Sequence, residues 1–125
     1  MPVDGSSLIQ SAACPTTRLC VVGDNQGNLI SSTRPAGGSW RLAHVEPYGI
    51  NISAISCPDA GLCVATAGSD VITSTSPAGP ASGWHIAAAD PGAVITSMEC
   101  PATTLCVGFD SNGAAVTSTS PAARS

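Results

Sequence analysis

Six cysteines, two histidines, two tryptophans and a few acids and amides are the residues of this sequence able to do chemistry. The cysteines form three pairs: Cys14 with Cys20, Cys57 with Cys63 and Cys100 with Cys106. A thiol pair can make a disulfide, hold a metal or supply a nucleophile. The spacing inside each pair is wider than the usual zinc spacing of about two to four residues. Repetition of the same spacing favours one local bond per pair, so disulfides Cys14–Cys20, Cys57–Cys63 and Cys100–Cys106 are predicted, with free thiols and metal as the alternatives. A cysteine nucleophile is not expected where every cysteine has a partner.

Two loops are rich in oxygen donors: Asp24 and Asn25 with their neighbours, and Asp110 and Asn112 with theirs. Such groups suit calcium. Neither loop ends in the glutamate of a calcium loop, and hairpin turns want the same residues. No metal and no cofactor is therefore predicted. His44 and His85 each follow a tryptophan and could bind a metal or a sugar, or sit on an exposed strand. Trp40 and Trp84 could stack on a sugar or plug a seam between sheets. Asp24, Asn25, Trp40, His44, Trp84, His85, Asp110 and Asn112 are the candidate ligand-binding residues; no catalytic residue is assigned. There is no Gly-x-Ser-x-Gly elbow and no phosphate-binding loop.

Composition narrows the class. The chain has 125 residues, 43% of them hydrophobic, 3% aromatic and 10% charged, against a usual charged share of ~25%. There is no lysine, and the net charge is -4. A disordered chain would be more polar, and a nucleic-acid binder would carry a basic stripe. No apolar run approaches the ~20 residues of a membrane helix. No basic start with an apolar run opens the chain, so any export signal is expected to have been removed. Disulfides imply an oxidising compartment, hence a secreted or cell-surface protein.

The elements that must position these residues repeat. Cys14-Pro15-Thr16-Thr17-Arg18-Leu19-Cys20 returns 43 residues later from Cys57 and again from Cys100. A valine follows each second cysteine: Val21, Val64 and Val107. Then come a polar turn, an apolar pair (Leu29-Ile30, Val71-Ile72, Ala115-Val116) and a Ser-Thr-x-Pro-Ala stretch. Two copies go on to a tryptophan; the third stops at Ser125. The segment before each first cysteine aligns Ile9, Ile52 and Ile95, and places Ala12, Ile55 and Met98 on the opposite pleat. Cys-Pro is expected to end that strand. Leu-Cys-Val opens a second strand, the apolar pair lies in a third, and the tryptophan opens a fourth. No window carries a helical stripe.

Four strands in about 43 residues is the size of a β-propeller blade. The fold class predicted is all-β: a β-propeller with three four-stranded blades, the last incomplete, over residues 6–46, 50–90 and 93–122. Small residues crowd the innermost strand, at Ser11, Ala54 and Ser97. Each blade uses its neighbours as its core, so few aromatics are needed.

Thr33, Gly37 and Trp40 resemble the Asp-box, or BNR, repeat of sialidase-type propellers, Ser/Thr-x-Asp-x-Gly-x-x-Trp, with Pro35 where the aspartate belongs. Thr75, Pro77 and Trp84 repeat this with a longer loop. Together with Cys-Pro-x-x-x-Leu-Cys, the unit is similar to tandem repeats of secreted actinobacterial proteins. The resemblance implies a propeller; sialidase chemistry would need an arginine cluster and a tyrosine nucleophile helped by a glutamate. Only Tyr48 with Glu46 approaches that, and the four arginines do not cluster in sequence. No enzyme activity is expected.

Three blades cannot close a ring, since propellers have roughly four to eight. A homodimer making six blades is the simplest closure; a fragment of a longer propeller is the alternative. The function predicted is a secreted, non-enzymatic binding module with repeated sites on loops or between blades, carbohydrate being the leading ligand class. A protein-interaction scaffold without a small ligand is the second reading, and a degenerate glycosidase relative the third.

Overall fold

A computed structural model describes residues 9–34, 39–45, 50–59, 61–68, 70–75, 77, 83–88 and 94–118. Among them the chain folds into three antiparallel sheets in sequence order. The first contains β1 (Ile9–Thr16), β2 (Leu19–Asp24), β3 (Asn28–Arg34) and β4 (Ser39–His44). The second contains β5 (Ile52–Asp59), β6 (Leu62–Ala67), β7 (Asp70–Ser74) and β8 (His85–Ala88). The third contains β9 (Ile95–Ala102), β10 (Leu105–Asp110) and β11 (Ala115–Ser118). Each sheet is an up-and-down meander. The sheets stack face to face, with β1 against β5 and β5 against β9 as the innermost strands. This is the blade arrangement of a propeller, with the third blade three-stranded among the described residues.

The first strand does not end at proline. β1, β5 and β9 run through Cys-Pro and end one residue beyond the proline. Proline is accommodated by a shift in register: Ala13 pairs with Val21 and Thr16 with Leu19, leaving Cys14 and Pro15 opposite Cys20. The same shift recurs between Ser56 and Asp59 and between Glu99 and Ala102. Proline lacks an N–H, so it fits the extra residue of a bulge, where the ladder is already interrupted.

A second bulge corrects the pleat assignment. Ile52 pairs with Ala67 and Ala54 with Thr66, so Ser53 is the extra residue. Gln10 and Thr96 are extra at the equivalent places. The inserted residue turns Ile52 and Ile55 to the same side, and both enter one apolar cluster. Strict alternation would have separated them.

Among the described residues two seams between blades carry apolar clusters. Leu19, Val21, Leu29 and Ala43 of blade one meet Ile52, Ile55, Ala65, Ile72 and Trp84 of blade two. Leu62 and Val64 on the other side of blade two meet Cys100 and Cys106 of blade three. Alternation in β6 explains this: Cys63, Ala65 and Ala67 look back to blade one, whereas Leu62, Val64 and Thr66 look forward. All six residues of β6 are buried.

Serines tie the seams. Ser11 Oγ donates to Ile52 O (2.9 Å), and Ser53 Oγ donates to Ile95 O (2.9 Å) while Thr66 Oγ1 lies 2.9 Å away as its donor. The same inner-strand carbonyl of each following blade thus receives a hydroxyl from the blade before. Ser56 Oγ accepts from Cys100 N at 3.0 Å in the second seam. Small polar residues allow this close approach and satisfy groups that the bulges leave unpaired.

Candidate functional site

The two polar loops are built as hairpin turns by their aspartates. Asp24 is fully buried, and its Oδ1 accepts from Gln26 N and Asn28 N, both at 2.8 Å. Its Oδ2 accepts from Asn28 Nδ2 at 2.7 Å. Asp110 Oδ1 accepts in the same way from Asn112 N (2.9 Å) and Ala114 N (2.8 Å). Gly27 and Gly113 supply positive φ of 83° and 82°, a conformation open to glycine at no steric cost. The carboxylates therefore hold their own turns. A cation taking Asp24 Oδ1 would have to displace two backbone N–H groups. Asn25 is half-buried and Asn112 exposed. Among the described residues no three His, Cys, Asp or Glu side chains gather closely enough to hold a metal ion.

Asn28 extends the Asp24 network to His44, with Asn28 Oδ1 2.7 Å from His44 Nδ1. The amide oxygen is an acceptor, so Nδ1 carries the proton in this pair. His44 lies opposite Asn28 on β4. His85 lies opposite Thr73 and matches Arg41, which lies opposite Ser31. The histidines are thus not equivalent, and only His44 belongs to the aspartate network.

The two tryptophans also part. Trp84 is 6% exposed within the seam between blades one and two, which leaves its ring no face for a ligand. Trp40 is half-buried, and its Nε1 is buried with no hydrogen-bond partner among the described residues. Tyr48 and Glu46 lie outside the described residues, as do residues 35–38 of the Asp-box-like stretch.

All three cysteine pairs are bonded: Cys14–Cys20 (S–S 2.08 Å), Cys57–Cys63 (2.05 Å) and Cys100–Cys106 (2.02 Å). Each spans the Cys-Pro bulge of its own blade, with Cα atoms 4.1 Å apart. Such short loops add about 2 kcal/mol each. Exposure grades them. Cys14 is exposed, whereas Cys100 and Cys106 are both buried and Cys63 is fully so. Under mild reduction followed by alkylation, mass spectrometry is expected to find Cys14 and Cys20 labelled first. Equal labelling of all three pairs would mean that burial does not govern access.

Residue type alone does not mark the surface that the seams leave over. Leu105, Val107 and Phe109 occupy in blade three the positions of Leu19, Val21 and Gly23 in blade one and of Leu62, Val64 and Thr66 in blade two. The earlier sets face the next blade: Val21 and Thr66 are fully buried. In blade three Leu105 and Val107 are only half-buried, and Phe109 is 52% exposed. The signal was in the repeat register: the chain's single phenylalanine falls at a forward-facing position.

No protein-family model matches the chain, and no curated protein does. Solved structures do. The chain is similar to "YCF48 bound to D1 peptide", with a TM-score of 0.81 at 8% identity, over 99% of this chain and 40% of that one. It is also similar to YCF48 from Cyanidioschyzon merolae, with a TM-score of 0.74 at 12% identity, over 98% of this chain and 37% of that one. The chain thus spans about two fifths of the length of these structures. At these identities the likeness is one of fold, and the fold it supports is an incomplete β-propeller.

Proposed function

We propose that this chain is a secreted, non-enzymatic propeller module that works by binding protein, first of all a second copy of itself. The observation that carries this reading is the uncovered forward face of blade three, Leu105, Val107 and Phe109, at positions that the other blades bury against a neighbour. An apolar blade face exposed to water favours association. Two copies joined head to tail would give a six-bladed ring. A solved structure of similar fold holding a peptide lends support to protein as the ligand class. The disulfides fit an oxidising compartment. The repeats read as Asp-box relatives that have lost the aspartate.

Carbohydrate has thinner support, because Trp84 is buried and Asp24 and Asp110 are occupied by their own turns. Light scattering on a sizing column tests the assembly. The unaltered chain is expected at twice 12.3 kDa, and Phe109→Asp, an exposed change that spares the fold, is expected to run as a monomer. A monomer at every concentration for the unaltered chain would refute self-association.

A further inference from the structure

The outer edge of blade three points to a second binding surface. In blades one and two the third strand is flanked on both sides: β3 pairs with β2 and β4, and β7 with β6 and β8. In blade three the corresponding strand, β11, pairs with β10 alone among the described residues. Its side chains are uncovered to match. Ala115 and Thr117 are exposed and Val116 half-buried, whereas at the same positions Leu29, Ile30 and Ser31 of blade one are all buried, and in blade two Ile72 is buried and Val71 and Thr73 are half-buried.

The backbone of that edge is oriented outward. Asp110 N donates to Ala114 O at 3.0 Å, which makes these two a hydrogen-bonded pair. Bonded and non-bonded pairs alternate along an antiparallel ladder. Phe109 with Ala115 and Val107 with Thr117 are then the non-bonded pairs, so the N–H and C=O groups of Ala115 and Thr117 face away from β10. Blade one shows what such groups do: Gly27 O, in the same outward phase, accepts from Val45 N beyond the end of β4 at 3.0 Å.

We infer that the β11 edge binds an extended segment of a partner protein by antiparallel strand addition. The molecule holds two examples of the occupant. In β8, Ala87 lies opposite Val71, Ile86 opposite Ile72 and His85 opposite Thr73. In β4, Ala43, Leu42 and Arg41 take the same places. The segment that fits β11 therefore sets alanine opposite Ala115, leucine or isoleucine opposite Val116 and a long polar residue opposite Thr117, with tryptophan just before it. Main-chain bonds supply affinity and alternate side chains supply selectivity. The inference rests on the protein-binding reading, but it uses the rim of the blade rather than its forward face.

The test uses the full chain and a synthetic peptide of residues 83–88, Gly-Trp-His-Ile-Ala-Ala, blocked at both ends. Saturable binding is expected, with amide exchange at Ala115 and Thr117 slowed at least tenfold and exchange at Val116 unchanged, because its N–H already serves β10. Thr117→Pro removes one outward donor without touching the ladder to β10 and is expected to weaken binding about tenfold. Should that variant fail to fold, the exchange measurement on the unaltered chain decides alone. Absence of saturable binding, or binding without protection at Ala115 and Thr117, overturns the inference. Protection that grows with protein concentration in the absence of peptide also overturns it, by giving the edge to a second copy. A failure here with a Phe109-dependent dimer intact leaves the proposed function standing; a monomer that still binds the peptide at this edge does the reverse.

Discussion

Asp24→Ala is expected to destabilise the protein by about 3 kcal/mol in denaturant unfolding with the disulfides intact. A hydrogen bond to a charged acceptor contributes about 1.5–3 kcal/mol, and a buried donor left without a partner costs about 1–3 kcal/mol. Asp24 is fully buried and serves three donors: Gln26 N, Asn28 N and Asn28 Nδ2. These bonds act as a unit, so they do not add. Alanine would strand Asn28, itself 6% exposed, and free its side chain from the arrangement that meets His44. Asp24→Asn keeps one oxygen for the two backbone donors but turns an amide NH2 toward Asn28 Nδ2, and about half the loss is expected. Asp110→Ala removes the equivalent bonds in a turn whose residues 111–114 are exposed. Water can satisfy the freed groups there, so about 1 kcal/mol is expected. A loss below about 1 kcal/mol for Asp24→Ala would show that the carboxylate does not hold its turn.

Gly23→Ala is expected to cost about 3 kcal/mol, the upper part of the usual range for overpacking. A Cβ at position 23 would stand 2.5 Å from Ile52 Cβ and 2.9 Å from Ser11 Oγ, and closer still to Ile52 Cγ2. All three atoms belong to buried or half-buried residues at the innermost part of the first seam. The methyl group must therefore push blade two away or break the bond from Ser11 Oγ to Ile52 O. Gly108→Ala is the contrast: its Cβ would meet Ile95 Cγ2 at 3.2 Å, a contact that a small shift relieves, at about 1 kcal/mol. A double-mutant cycle pairing Gly23→Ala with Ile52→Gly, which removes both clashing Ile52 atoms, isolates the clash. The pair is expected to lose less than the sum of the two single changes. Strict additivity would mean that the glycine is not there to admit Ile52.

These two residues also show how far the fold was legible. Asp24 stood out as a turn-former or a calcium ligand from its neighbours alone, because local chemistry produces both patterns. Choosing between them needed its burial and its three donors. Gly23 carried no signal in its own copy. Only alignment with Thr66 and Phe109 marks position 23 as forward-facing, and only the approach of Ile52 explains why it has no side chain. Cys-Pro reads as a strand end because proline breaks a regular ladder, whereas a bulge cannot be seen in one strand, since its register depends on the partner strand. His44 and His85 part for a related reason: both follow a tryptophan along the chain, whereas the register against β3 and β7 assigns each its position.

The sequence by itself determined the repeat, the all-β blade, the pairing of the cysteines and the small inner strand. Each is a local pattern, and the three copies vote for it together. The tertiary structure alone decided which face of each blade looks forward, that Trp84 closes a seam rather than facing a ligand, and that Leu105, Val107, Phe109 and the edge of β11 are left over among the described residues. These depend on what stands opposite a residue. Inserted residues such as Ser53 shift that partner by one place, and a shift of one place exchanges the inside of a sheet for its outside.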